Sequence, residues 1–131
     1  MTEPLWLSVD QVLWLHALQI REFGGLPGVR DLGLLESALS RVRHRHHYGE
    51  LTTVPELAVA YACAINSNHP FLDGNKRVSF HSLLVFLRMN GFMLNAEPSE
   101  ATEMMLDLAA GRLKEVEVHA WIRTRLGSRS S

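Results

Sequence analysis

The sequence predicts an all-α domain, and three observations carry that expectation. Helix-start signals recur along the chain at Ser8 with Gln11, Asp31, Thr53 with Glu56, and Pro98-Ser99. The segment Leu57 to Ile65 is apolar on every helical face, as a helix in the centre of a bundle must be. Strand signals are weak, the best being the short run Phe92-Met93-Leu94.

At 131 residues, the chain is the size of one domain and can bury roughly two-thirds of its unfolded surface. Its 47% apolar and 21% charged composition excludes extensive disorder. With 13 basic and 14 acidic residues, the net charge of -1 gives no global pull toward nucleic acid or anionic lipid. Neither nucleic acid nor membrane is therefore expected as a direct partner. Cys63 stands alone, which excludes an internal disulfide and a cysteine-rich zinc site, and a free thiol suits a cytoplasmic protein. The longest apolar run is far too short to cross a bilayer, and no secretion signal opens the chain.

The elements follow in order. Ser8 and Gln11 form a capping box that opens an amphipathic helix through about Phe23, and Gly24-Gly25-Leu26-Pro27-Gly28 stops it. Asp31 caps a second helix, with Leu34, Leu35, Ala38 and Leu39 on its buried side. Arg41 to Thr53 lacks clean periodicity and reads as a loop or short hairpin. Thr53, Pro55 and Glu56 start the central helix, which runs to about Ser67 or Asn68. Asn75 to Asn90 forms a second central helix carrying Phe80, Leu83, Leu84, Val85, Phe86 and Leu87, and Gly91 ends it. Helices from Pro98 to Ala110 and from Glu115 to Leu126 complete a single domain over residues 1–126. Residues 127–131, Gly-Ser-Arg-Ser-Ser, read as a flexible tail. Met89, Met104 and Met105 are expected in the core, and His16, His81 and His119 as packing or surface residues.

Between the two central helices lies His69-Pro70-Phe71-Leu72-Asp73-Gly74-Asn75-Lys76-Arg77, a combination that core packing does not require. Pro70 pushes His69 out of helical geometry, and Gly74 permits a tight turn into the next helix. The first free amides of that helix point into the loop at the positive end of its dipole, which makes an anion site. Lys76 and Arg77 in the first turn each oppose the dipole by roughly 0.3–1 kcal/mol, a cost that a bound anion would offset. Arg77 can grip phosphate in a fork, and Asp73 is a hard oxygen ligand suited to Mg²⁺ on a polyphosphate. His69 is the nearby group able to take a proton near neutral pH. Singly, each feature reads as a turn, a cap or a solvated charge; together they fit phosphoryl or nucleotidyl transfer. No Walker P-loop string is present.

His69 to Arg77 resembles the signature of the Fic/Doc superfamily, His-Pro-Phe-x-[Asp/Glu]-Gly-Asn-Gly/Lys-Arg, and within it the Doc (death-on-curing) branch. The similarity extends through Gly24–Gly28, Arg30–Ala38 and Leu84–Gly91, and covers the chain from Leu7 to about Leu126. It implies the compact Fic fold of about six helices and ATP/Mg²⁺ chemistry. It further implies His69 as general base on a target hydroxyl and Phe71 as core anchor. Asp73 would bind Mg²⁺, Gly74 and Asn75 would cradle phosphates, and Lys76 and Arg77 would contact them.

Two positions separate this chain from most Fic enzymes: Lys76 stands where they carry Gly, and Phe80 where they carry a second Arg. Residues 76, 77 and 80 share a helix face, so both changes bear on the nucleotide pose. The Doc branch shares the Lys and transfers the γ-phosphate of ATP to a threonine of translation elongation factor Tu, arresting translation. The resemblance thus implies a toxin kinase, with AMP transfer to a hydroxyl side chain as the runner-up. A non-catalytic scaffold that only binds an antitoxin is the reading from another class. Arg43, His44, Arg45, His46, His47 and Tyr48 match the position of the family's flap, an extended segment that docks the target backbone. A nucleic-acid patch and a histidine metal cluster compete for that segment, without the basic background or ligand spacing each needs. The nearest string to the family's inhibitory helix, Ser99–Met104, ends in the wrong residue. Restraint is therefore expected from a separate antitoxin with a segment that folds on binding.

Overall fold

Local capping chemistry sets most of the element boundaries. A computed structural model describes residues 3–128. Their order is α1 (Val9–Phe23), α2 (Leu32–His47), α3 (Val54–Asn68), α4 (Asn75–Met89), β1 (Phe92–Leu94), α5 (Pro98–Ala109), α6 (Glu115–Arg123) and β2 (Leu126–Ser128). The chain is all-α apart from this one two-stranded sheet among the described residues. At the start of α1 the Gln11 amide donates to Ser8 Oγ at 3.1 Å, while the Ser8 amide donates to Gln11 Oε1 at 2.8 Å. Thr53 and Glu56 repeat that reciprocal box before α3. Asp31 accepts from the Leu34 amide to open α2. Each such cap contributes about 1 kcal/mol relative to alanine.

The apolar run of α3 becomes the axis of the fold, packed against α2, α4 and α6. Leu57, Val59, Tyr61 and Ile65 are fully buried on it, and Val78, Leu83, Phe86 and Leu87 meet them from α4. Burying each large apolar side chain is worth about 1.5–3 kcal/mol. Met104 and Met105 are buried and Met89 packs against the core. Cys63 is a part-buried free thiol, and burial pushes its pKa up to about 12, so it is no nucleophile at neutral pH. No helix among the described residues is long and apolar enough to cross a membrane.

Two expectations fail. Arg41 to His47 is not a loop or hairpin: α2 continues to His47. Leu35, Ala38, Leu39 and Val42 keep a helical stripe against the core, and His46 extends it, its Nδ1 donating to the Leu51 carbonyl at 2.9 Å. The charged residues between them mask that periodicity, yet they favour the helix, because cations in a last turn suit its dipole. Arg45 also pairs with Glu50 and Glu115. Second, α6 stops at Arg123, and Leu126, Gly127 and Ser128 pair antiparallel with Leu94, Met93 and Phe92. Gly127 and Ser128 are therefore strand rather than flexible tail; residues 129–131 of that tail lie outside the described residues. The turn is held by Arg125, which donates to the Trp121 carbonyl and to Glu100 and stacks over the Trp121 ring at 4.1 Å.

Candidate active site

The end of α3 places His69. It caps the helix in the left-handed region at φ 49° and ψ 58°, and it is the one non-glycine residue with positive φ among those described. The following Pro70 is buried and His69 itself exposed. Phe71 turns inward, 1% exposed, and forms an isolated antiparallel bridge with Val29. Asn75 closes the loop: its Oδ1 accepts from the Phe71 amide at 3.1 Å and its Nδ2 donates to the Phe71 carbonyl at 3.0 Å. Nδ2 also stands 3.4 Å from His69 Nδ1, long for a hydrogen bond, so it restrains the ring without gripping it. The Asn75 side chain is thus committed to the loop, and only its backbone amide is left to face an anion.

Asp73 is oriented by backbone. Its Oδ2 accepts from the Leu26 amide at 3.1 Å and its Oδ1 from the Gly74 amide at 2.8 Å. Those two donors hold the carboxyl below the usual carboxylate range, helped by Arg77 and His16. Gly74 then takes φ +77° as the N-cap of α4, a conformation that favours glycine, and no side chain caps the helix. The first-turn amides are therefore left to an external acceptor, flanked by exposed Lys76 and half-buried Arg77. The Arg77 guanidinium lies 5.4 Å from the centre of the Phe23 ring.

Beneath the loop, the His16 ring stacks on Phe71 with centroids 3.8 Å apart and planes 9° from parallel. Its Nε2 lies 2.7 Å from the Asp73 carbonyl oxygen. A carbonyl only accepts, so Nε2 carries the proton and donates. The extended segment from Gly24 to Asp31 lies alongside. Leu72 donates to the Gly28 carbonyl at 3.2 Å, and the Arg30 and Asp31 amides both donate to the Pro70 carbonyl. At Gly25 a Cβ would come 2.7 Å from Asp73 Oδ2, so the close approach of the two segments requires glycine.

These elements border a cleft of about 940 Å³. His69, Asp73, Gly74, Asn75, Lys76 and Arg77 line it from the loop and α4, Pro98, Ala101, Thr102, Met105 and Leu106 from α5, and Phe23 from α1. Phe80 and His81, further along α4, complete the lining. Burial pushes the His81 pKa below its ordinary value, with Arg77 acting in the same direction and Glu22 against it. Among the described residues no three His, Cys, Asp or Glu side chains gather into a metal cluster. One carboxylate held below its usual range beside an uncapped helix start would suit a Mg²⁺ shared with a polyphosphate, and Asp73 would be its ligand.

The structure therefore brings together His69, Asp73, Gly74, Asn75, Lys76 and Arg77, all singled out from sequence, and sets Phe71 behind them. It does not bring the flap candidates there. Arg43, His44, Arg45, His46 and His47 are helical rather than extended, Tyr48 is the C-cap, and none lines the cleft. Arg43 lies 5.1 Å over Trp6, and His46 and His47 pack edgewise on the same ring. Sequence reasoning missed the α5 wall, His16, Arg30 and the bracing segment. The glycines of Gly24-Gly25-Leu26-Pro27-Gly28 were a signal for close backbone approach but are equally the signal of a helix stop.

Residues 6–87 match the model of the Fic/DOC family. The chain is similar to "Protein kinase doc" of Escherichia phage P1, with 34% identity over 122 residues that cover 93% of this chain and 96% of that one. It is also similar to "Toxin Doc" of Mycolicibacterium smegmatis, with 36% identity over 92 residues, 66% of this chain and 69% of the relative.

Proposed function

The chain belongs to the Fic/Doc family, and we propose that it is a Doc-type toxin: a protein kinase that moves the γ-phosphate of ATP onto a threonine of translation elongation factor Tu, arresting translation. The observation that carries this reading is one cleft holding an accessible imidazole, an ionised carboxylate and an uncapped helix start. The similarity to a protein named as a kinase favours phosphoryl over adenylyl transfer. Phe80 supports the same choice, since it presents an apolar face to the cleft one turn beyond Arg77.

In this reading the first-turn amides of α4, with Lys76 and Arg77, bind the triphosphate and take up the charge that develops on it. Asp73 would hold Mg²⁺, which when bound would supply positive charge to offset that of the phosphates. The threonine hydroxyl oxygen bonds to the γ-phosphorus as the bond from that phosphorus to the β–γ bridging oxygen breaks. His69 accepts the hydroxyl proton, and ADP leaves. The extended segment Leu26–Asp31, bridged to Phe71 through Val29, takes over target docking from residues 43–48. The α5 wall and Phe23 exclude water from the nucleotide.

Incubation with elongation factor Tu, ATP and Mg²⁺, read by intact-protein mass, tests the proposal. The factor should gain one phosphoryl group, and His69→Ala should slow that gain by about 10²–10⁴-fold without shifting the melt. Gain of an adenylyl group would replace the kinase with AMP transfer, and no gain would leave the antitoxin-binding scaffold. The toxin role implies an antitoxin partner with a segment that folds on binding. Expression of the chain alone should stop growth of its host, and unimpaired growth would contradict that role.

A further inference from the structure

We propose that Arg30 is a positioning residue for His69. The left-handed conformation of His69 is uncommon for a residue with a side chain and is normally left to glycine or asparagine at a helix end. Something must hold it, and Arg30 is placed to do so. Its Nε donates to the His69 carbonyl at 2.8 Å and its Nη2 to the Asn68 carbonyl at 3.0 Å. One planar guanidinium thus spans the last two carbonyls of the α3 terminus, which helix geometry leaves without partners. The Arg30 amide adds a bond to the Pro70 carbonyl at 2.8 Å. Consecutive residues on both sides of the imidazole are therefore tied to a single residue on the bracing segment.

No other described side chain bonds the His69 carbonyl. Arg41 reaches only the Asn68 side chain, at 3.4 Å, and Asn68 is itself tied to the Leu34 carbonyl at 2.9 Å. Among the described residues, the one polar restraint on the imidazole itself is the long contact with Asn75. Without Arg30 the backbone of His69 can relax toward commoner dihedrals, carrying the ring away from the hydroxyl that it must deprotonate. Arg30 does not line the nucleotide cleft. Its loss should consequently act on the chemical step and not on nucleotide binding.

This inference rests on the phosphotransfer reading for its kinetic half only. Arg30→Ala and Arg30→Lys should be compared with the wild type by NMR of His69 and by steady-state phosphorylation of elongation factor Tu. Arg30→Ala should shift the His69 backbone resonances away from left-handed values. It should also lower kcat by roughly tenfold to 10²-fold while KM for ATP stays within about twofold. Arg30→Lys, with one compact donor in place of a fork, should fall between. His69 resonances unchanged in Arg30→Ala would overturn the proposal, as would a loss carried by KM alone. A wild-type chain that transfers nothing would sink the kinase reading, and the His69 resonances would still decide what Arg30 does.

Discussion

Replacing His16 separates two contributions that the loop draws from one ring. His16→Phe keeps an aromatic surface to lie 3.8 Å from Phe71 but removes the donor that meets the Asp73 carbonyl at 2.7 Å. His16 is 4% exposed, so water does not readily replace the lost donor. An orphaned acceptor of that kind costs about 1–3 kcal/mol. For a chain of 131 residues, that is a fall in Tm of roughly 4 °C per kcal/mol. His16→Ala also forfeits the stack, worth about 0.5–1.5 kcal/mol beyond area, and leaves a cavity, so its total should reach about 3 kcal/mol or more. The functional consequence follows from position. The carbonyl that His16 holds belongs to the peptide joining Asp73 to Gly74, the N-cap of α4, so its release frees the turn that sets where the helix and its first amides begin. Thermal melts and calorimetric titration with Mg²⁺-ATP measure both effects. His16→Phe should melt several degrees lower and bind the nucleotide more weakly. If His16→Phe melts and binds as the wild type does, the bond to Asp73 is incidental and the reasoning fails.

Gly25→Ala drives a Cβ to 2.7 Å from Asp73 Oδ2 at a φ of +115°. It should cost about 1–2 kcal/mol in backbone strain and weaken the Mg²⁺-dependent part of ATP binding. Gly49→Ala supplies the control, since it carries a comparable positive φ with open space around it and should leave calorimetric ATP binding unchanged. His81 gives a pH signature. Its folded pKa is depressed by burial, so the unfolded chain binds a proton first as pH falls below about 6.5. Stability from this group is complete above that pH and is lost as pH falls toward the depressed value. Melts from pH 7.5 to about 5.5 should show a slope that His81→Gln reduces; an identical slope would refute the assignment.

What was legible in the sequence was what local chemistry decides. Ser8 with Gln11 and Thr53 with Glu56 place helix starts because both halves of each capping box lie three residues apart. The loop between α3 and α4 was legible for the same reason: histidine, carboxylate, glycine and cations are adjacent in sequence as in space. The misreadings needed longer range. Leu126 to Ser128 forms a strand because Phe92 to Leu94, over thirty residues away, offers an edge to pair with. The last turns of α2 hold their charges through Glu115 and Trp6, partners that no local pattern announces. His16 reads as an ordinary helix residue until α1 is laid against the loop. Arg30 likewise acquires its meaning only when the end of α3 arrives beside it.

The most direct measurement follows the backbone amides of an isotope-labelled chain by NMR as Mg²⁺-ATP is added. The amides of Gly74, Asn75, Lys76 and Arg77 should move most, with smaller shifts at Ala101, Thr102 and Met105 across the cleft. Saturating ATP that leaves those four resonances in place, or moves chiefly those of Arg43 to Tyr48, would contradict a triphosphate held at the front of α4.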